Sequence, residues 1–257
     1  MLLRSITQHV REQNWFAVFL DFVIVVAGIL IAFQITNWNE ARVEAQREQV
    51  LLERLHHDFV GIVAWGDRIM PWVNEAPEDV SRLIDQIRAD TEPELDDAFR
   101  RSARASVYLF ATFEISPTYQ ELVSTGTLSR ISNTELREAL ASYGRNRDAE
   151  RIVTEGLYAL QNQGVTREAI RFATFVDAPD LSFDAVLREL TAAVSFDWEA
   201  LKKTEPHLHV VLQNHLYVRG WKQGTYGDAQ RVLALLKEGL GLPAELTSDE
   251  PKTEETK

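Results

Sequence analysis

The segment from Phe16 to Phe33 constrains this chain more than any other: it reads FAVFLDFVIVVAGILIAF and carries a single charge, Asp21. Trp15 and Trp38 flank it. As a helix, the stretch between the two tryptophans is about 36 Å long at roughly 1.5 Å per residue. A bilayer core about 30 Å thick needs about 20 apolar residues, so the length fits one tilted span. Tryptophan suits the headgroup level, because its ring is apolar and its N–H is polar. A cleaved secretory signal is the rival reading, but the apolar run leads into Gln34-Ile35-Thr36-Asn37-Trp38 rather than a small-residue cleavage site. A buried helix of a soluble protein is the other alternative.

Charge near the span bears on orientation. Arg4, Arg11 and the terminal amine precede it, and Arg42 and Arg47 follow it among Glu40, Glu44 and Glu48. The basic count is nearly balanced, and the amine tips it towards a cytoplasmic N-terminus. The expected location is the inner (plasma) membrane, with the soluble part extracytoplasmic, in the periplasm of a Gram-negative cell. The absence of cysteine fits either compartment.

The remainder, about 215 residues, is enough for one sizeable domain or two small ones. Its acidity accounts for the net charge of −12, which argues against nucleic acid and anionic lipid as partners of the soluble part. Thr247 to Lys257 has no apolar residue and reads as a disordered acidic tail.

Helical spacing runs through nearly the whole remainder. Val43, Val50, Leu51, Leu55, Phe59, Ile62, Val63 and Ile69 recur every three or four residues, as a coiled-coil seam or a face packed on its own domain. Pro71 and Pro77 bracket an expected break, with a new helix from Pro77 through Ile87. Further helices are expected over about 94–113, 118–124, from the Ser132 box towards Phe175 with Gly144, Gly156 and Gly164 as places that bend or divide it, 183–194, 197–203 and 206–240. Ser132-Asn133-Thr134-Glu135 reads as a capping box. No segment alternates long enough to argue for a sheet. The expected fold is all-α: one N-terminal transmembrane helix continuing into a soluble helical bundle, its last helix packed on the first. The expected divisions are 1–14, a short N-terminal segment; 15–38, the span; 39–75, a helical extension; 76–246, the bundle; and 247–257, the tail.

Two stretches, DFVIVVAGILIAFQITNWNE from Asp21 to Glu40 and YQELVSTGTLSRISNTELREALASY from Tyr119 to Tyr143, resemble an uncharacterised bacterial family with one N-terminal span. The matching positions in the first are Asp21, Gly28, Gln34 and Asn37-Trp38-Asn39-Glu40. In the second they are Tyr119, Glu121, Leu122, Ser124, Gly126, Asn133, Glu135, Leu136 and Arg137. Asp21 stands where the family usually has glutamate. The resemblance implies the topology and fold, and no activity.

On a helical wheel Asp21, Gly28 and Ala32 share one face, and Gly28-x-x-x-Ala32 is a small-x-x-x-small pair that lets backbones approach. This is a candidate association face for another copy or another membrane protein; the alternative is a carboxylate snorkelling to the headgroups. Tyr119, Glu121, Gly126 and Arg137 mark a candidate binding corner, whose plainer reading is a capped helix–helix turn with Glu121 and Arg137 paired across it. His207 and His209, two apart on one helix, point to different faces, as do His56 and His57, so no metal site is expected. Tyr217, Trp221 and Tyr226 with Arg219 and Lys222 read as an inner helix face with snorkelling bases. No phosphate loop, nucleophile elbow or zinc motif is present, so no cofactor and no enzymatic activity are expected. The expected role is partner binding or scaffolding at the bilayer. The alternative is ligand sensing passed on through a partner membrane protein.

Overall fold

A computed structural model describes residues 15–107, 112–162, 172–175 and 193–243, and the chain divides into two compact units at Val50/Leu51. Among the described residues there are six α-helices and one two-stranded ladder. Helix α1, Trp15–Arg88, is 74 residues long and takes part in both units.

In the first unit the helix is apolar and bare. Phe19, Phe22, Ile24, Leu30, Ile31 and Phe33 are all more than half exposed. Apolar area left in water forgoes the roughly 25 cal/mol per Å² that burial would contribute. This helix near the N-terminus is long and apolar enough to cross a membrane. Its hydroxyl-bearing Thr36 is satisfied within the helix, donating to the Ala32 carbonyl at 3.0 Å.

The second unit is built on three seams. On α1, Leu55, Phe59, Ile62, Gly66, Ile69, Val73, Ala76, Val80, Leu83 and Ile87 are buried, in alternating steps of four and three. The same rhythm runs along α4 (Thr134–Asn162) through Leu136, Leu140, Tyr143, the half-buried Arg147, Glu150 and Thr154. It recurs on α6 (Glu205–Leu240) through Leu208, Val211, His215, Val218, Lys222, Thr225, Ala229, Val232 and Leu236. A stripe of this period keeps facing a partner helix along its whole length. Cross-links set the directions. Arg88 meets Glu205, Glu78 meets Arg219 and Asp67 meets Tyr226, so α6 runs antiparallel to α1, as expected for the last helix on the first. Glu150 meets Lys222, Asn146 meets Asp228 and Glu135 meets Arg231, so α6 is antiparallel to α4 as well.

Two apolar clusters result. One joins Leu55, Phe59 and Ile69 of α1 to Leu140 and Tyr143 of α4 and to Val232 and Leu236 of α6. The other joins Val80, Leu83 and Ile84 to Phe99 and Ala103 of α2 (Asp97–Val107), to Leu201 of α5 (Trp198–Lys203) and to Leu208 and Val211. Strand β1 (Ala173–Phe175) pairs antiparallel with β2 (Ala193–Phe196), and the Phe196 ring lies 4.4 Å from that of Phe99.

Several expectations are corrected. Pro71 and Pro77 lie inside α1 and do not break it. An interior proline costs a helix about 3 kcal/mol, and here the seam residues on both sides are buried in the two clusters. One turn around Pro77 is also bonded from outside: the Asn74 carbonyl accepts from Arg219 Nη1 at 3.3 Å, and Asn74 Oδ1 accepts from Gln223 Nε2 at 2.9 Å. The helix expected over 94–113 is shorter, and Phe113 sits in a non-helical stretch, 112–116. Helix α4 passes through Gly144 and Gly156 unbroken, and Phe175 is in a strand. The expected helix 183–194 lies largely outside the described residues, and its end, Ala193-Val194, is strand. The expected tail and the N-terminal segment also lie outside them.

Glycines inside the helices differ in what a Cβ would meet. A Cβ at Gly144 would run into the Tyr119 ring, and one at Gly66 into Tyr226. At Gly220, Gly224 and Gly227, on the outer side of α6, a Cβ meets nothing within 4 Å. Gly144→Ala should therefore destabilise the protein by about 1–3 kcal/mol through overpacking, whereas Gly220→Ala should stabilise it by up to about 1 kcal/mol through helix propensity. Thermal melts of the full chain in detergent, followed by circular dichroism, check both signs.

Candidate functional site

Helix α3 (Pro117–Ser124) is set by its two ends. Pro117 occupies its first turn, and Ser116 caps it by accepting from the Tyr119 amide at 3.0 Å. At the other end Gly126 takes φ +68°. The Gly126 amide donates to the Val123 carbonyl and the Thr127 amide to that of Leu122, which closes a Schellman turn. The expected corner residues are thus near one another in the chain but do separate work. Tyr119 is buried edge-on to Tyr143, with centroids 6.5 Å apart. Glu121 is exposed and pairs with Arg54 of α1, not with Arg137. Arg137 donates to the carbonyls of Ile131 and Ser132 and to Thr134 Oγ1, so it holds the backbone leading into α4. Asn133 is the N-cap of α4, accepting from the Leu136 amide at 3.1 Å, one residue later than the box read from the sequence.

Segment 112–118 is strapped across the bundle by side chains. Asp58 of α1 accepts from Ser116 Oγ at 2.7 Å and from the Thr118 amide at 3.0 Å. Burial pushes the Asp58 carboxyl up, but the bonds from Ser116 and Thr118, with His57 nearby, together leave the group below its ordinary value. From α4, Tyr143 Oη donates to the Glu114 carbonyl at 2.5 Å and Arg147 Nε to the Phe113 carbonyl at 3.1 Å, while Glu150 Oε1 accepts from the Phe113 amide at 3.3 Å. These three side chains lie along one seam of α4, so the helix reads off the segment's backbone in order. That explains why 112–116 is not helical: its backbone groups are already engaged.

At the centre, between the two apolar clusters, lies a polar layer. Lys222 Nζ donates to Glu150 Oε1 at 2.7 Å, and both side chains are 0 % exposed. The ammonium is 5.5 Å from the Phe113 ring centre. Burial lowers the Lys222 pKa, and the Glu150 charge and hydrogen bond oppose that shift. Glu150 Oε2 and, one turn on, Thr154 Oγ1 are buried with no hydrogen-bond partner. His215, one heptad before Lys222, is buried; its Nε2 is 2.6 Å from the Ala105 carbonyl, so it is the ring nitrogen that carries hydrogen. Burial lowers its pKa further than the Ala105 bond raises it.

Sequence reasoning placed Lys222 among snorkelling bases; the structure buries it. The signal was available, because Lys222 falls in step with Val218, Thr225 and Ala229, where an apolar residue belongs. Nothing in the sequence pointed to Glu150 as its partner, since the two are 72 positions apart. Tyr217 is exposed rather than inward, while Tyr226 stacks on Phe113 and donates to Asp67; burial first, and then Asp67, push its pKa up to about 12. His209 lies beside Arg88 and Glu205. In the first unit Asp21, Gly28 and Ala32 are all exposed on α1, and nothing lies within 4 Å of a Cβ built on Gly28.

Among the described residues of the second unit, surface hollows adjoin α1. One of about 370 Å³ is floored by Ile62, Trp65, Ile115 and Pro117 and edged by His57, Asp58 and Glu114. Another, of about 570 Å³, lies between α1 and the end of α6 at Val63, Leu233 and Leu242.

A protein-family model described as a family of unknown function, DUF6090, matches residues 21–176, a range that takes in both stretches of the resemblance and stops before α6. No curated protein and no solved structure matches the chain.

Removing one partner of the buried pair should be far worse than removing both. Lys222→Met or Glu150→Leu alone should cost about 3–5 kcal/mol, and the double variant should recover most of it; denaturant titration in detergent measures this. Acid should also act through His215. Its folded pKa lies below the ordinary 6.5, so the unfolded chain binds the extra proton, and stability should fall as pH drops below about 6.5. His215→Gln should flatten that limb in melts recorded from pH 7.5 to 5.

Proposed function

The chain belongs to DUF6090, a family of unknown function, and we propose that it is a single-pass membrane-anchored protein whose helical domain binds a partner or scaffolds an assembly, with no catalysis of its own. The observation that carries this reading is the way the described interior is filled. The central charges of the bundle, Glu150 and Lys222, are spent on each other at 0 % exposure. Catalysis needs groups that a substrate can reach. In the hollow at Trp65 the Asp58 carboxylate is already bound to Ser116 and Thr118. The proposed location is the inner (plasma) membrane of a bacterium, N-terminus cytoplasmic and the domain periplasmic, which rests on the bare apolar helix and the slight basic excess before it. The bilayer is then one partner. A second copy or another membrane protein is the other, with Asp21, Gly28 and Ala32 as a candidate contact within the span.

Ligand sensing through a partner membrane protein is the second reading, and one observation favours it: Glu150 Oε2 and Thr154 Oγ1 are polar, fully enclosed and unpaired. A small hydrogen-bond donor would find two acceptors there.

Chemical cross-linking of the full chain in native membranes, followed by mass spectrometry, should capture a defined neighbour through residues of the domain. Its absence at all exposed positions would sink the partner reading. A thermal-shift screen against small polar metabolites separates the second reading: a stabilising hit should lose its effect in Thr154→Val. Protease treatment of spheroplasts should remove epitope tags at the C-terminal tail if the domain faces the periplasm.

A further inference from the structure

We propose that the outer face of α6 between Val210 and Gly227 is a docking surface for a second copy of this chain, α6 against α6. The proposal rests on the partner-binding reading and names the partner. Val210, Gln213, Tyr217, Gly220, Gly224 and Gly227 follow one another in steps of three and four, on the side of the helix opposite its buried seam. Val210 is 56 % and Tyr217 60 % exposed, and Leu216 beside them 45 %.

Two independent features set this face apart. The first is electrostatic. The chain carries −12 overall and is 26% charged, yet every exposed residue from Val210 to Gln230 is uncharged. The charged residues nearby are turned inward or tied down: Lys222 on Glu150, Arg219 on Glu78, and Asp228 on Ser142 and Asn146. Two acidic copies repel each other wherever carboxylates face carboxylates. This neutral face is one on which they meet without that repulsion. A basic partner would gain nothing from it and would be drawn to the acidic faces instead, so charge favours a like copy as the occupant.

The second feature is steric. Glycine is a poor helix former, and nothing in the domain requires it at Gly220, Gly224 or Gly227, since a Cβ at each meets open space. Gly220-x-x-x-Gly224 is a flat strip on which another helix backbone can lie close, flanked by Tyr217 and Val210 as side-chain contacts. A two-fold pairing of like copies is isologous, so this face of α6 meets the same face of the other copy, and residues near the axis lie close to their own counterparts. Anchoring in one plane also raises the effective concentration of the copies for each other.

That symmetry sets the test. The chain has no cysteine, so single cysteines report unambiguously. In full-length protein in native membranes, Tyr217→Cys, Gly220→Cys and Gly224→Cys should form disulfide dimers under copper–phenanthroline at least fivefold more than Glu138→Cys, an exposed position on α4. Adding Gly220→Leu and Gly224→Leu to the Tyr217→Cys chain should cut its dimer at least fivefold. Its melting temperature should hold or rise, because leucine suits a helix better and a Cβ at either position meets no neighbour within 4 Å. Face positions that cross-link no better than Glu138→Cys, or a dimer that survives the two leucines, overturn the proposal. A benzophenone at Gly224 that captures a different protein overturns the second copy while keeping the partner reading. Cross-linking only at Gly28→Cys also overturns it, and moves self-association to the span.

Discussion

The ion pair between Glu150 and Lys222 is the point on which the bundle turns. Two ions of opposite sign, both without exposure to water, are stable there only because each is the other's partner. Everything around them serves to hold them 2.7 Å apart. The seam of α4 presents Glu150, the seam of α6 presents Lys222, and the Phe113 amide adds a hydrogen bond to the same carboxylate oxygen. The layer also divides the interior: one apolar cluster lies on the Tyr143 and Val232 side, the other on the Val211 and Leu83 side. His215, bonded to the Ala105 carbonyl, extends the polar layer towards α2.

Segment 112–118 depends on the same layer. Its first five residues, 112–116, are non-helical inside a helical domain, and they persist because side chains of α1 and α4 engage the segment's backbone and Ser116. The capped helix α3 then follows from Ser116, Pro117 and Gly126. What the sequence resemblance marked as a block of matching residues is thus, in space, a series of local tasks. Tyr119 packs against Tyr143 over Gly144, Gly126 turns the chain, and Arg137 holds carbonyls.

Local chemistry made some of this legible beforehand. The all-α class, the long apolar helix near the N-terminus, the short helix at 118–124, the turn at Gly126 and the long last helix all follow from period, caps and turn residues. Features set by distant partners were not legible. Pro71 and Pro77 looked like a break, because propensity counts their missing N–H groups and not the two buried clusters that hold α1 on either side. Phe113 looked helical because the groups that hold it out of a helix, on α4, come later in the chain. The short ladder of Ala173–Phe175 with Ala193–Phe196 is too brief for alternation to show. Lys222 was read by its type, as a base that seeks water, when its position in the heptad said that it was inside.

That position has a further consequence for which insertions this domain can absorb. A seam of alternating steps looks the same after a shift of seven residues, so apolar packing alone would let α6 slide a full heptad along α4. The charges forbid it. A slip of seven would set Lys222 opposite Tyr143 or Leu157 and leave two buried ions without counter-charge. Among the sliding alignments that the apolar residues would accept, the ion pair retains one. Seven-residue insertions or deletions between Glu150 and Lys222 are therefore tolerable only where the intervening chain, and not the helix faces, takes up the change.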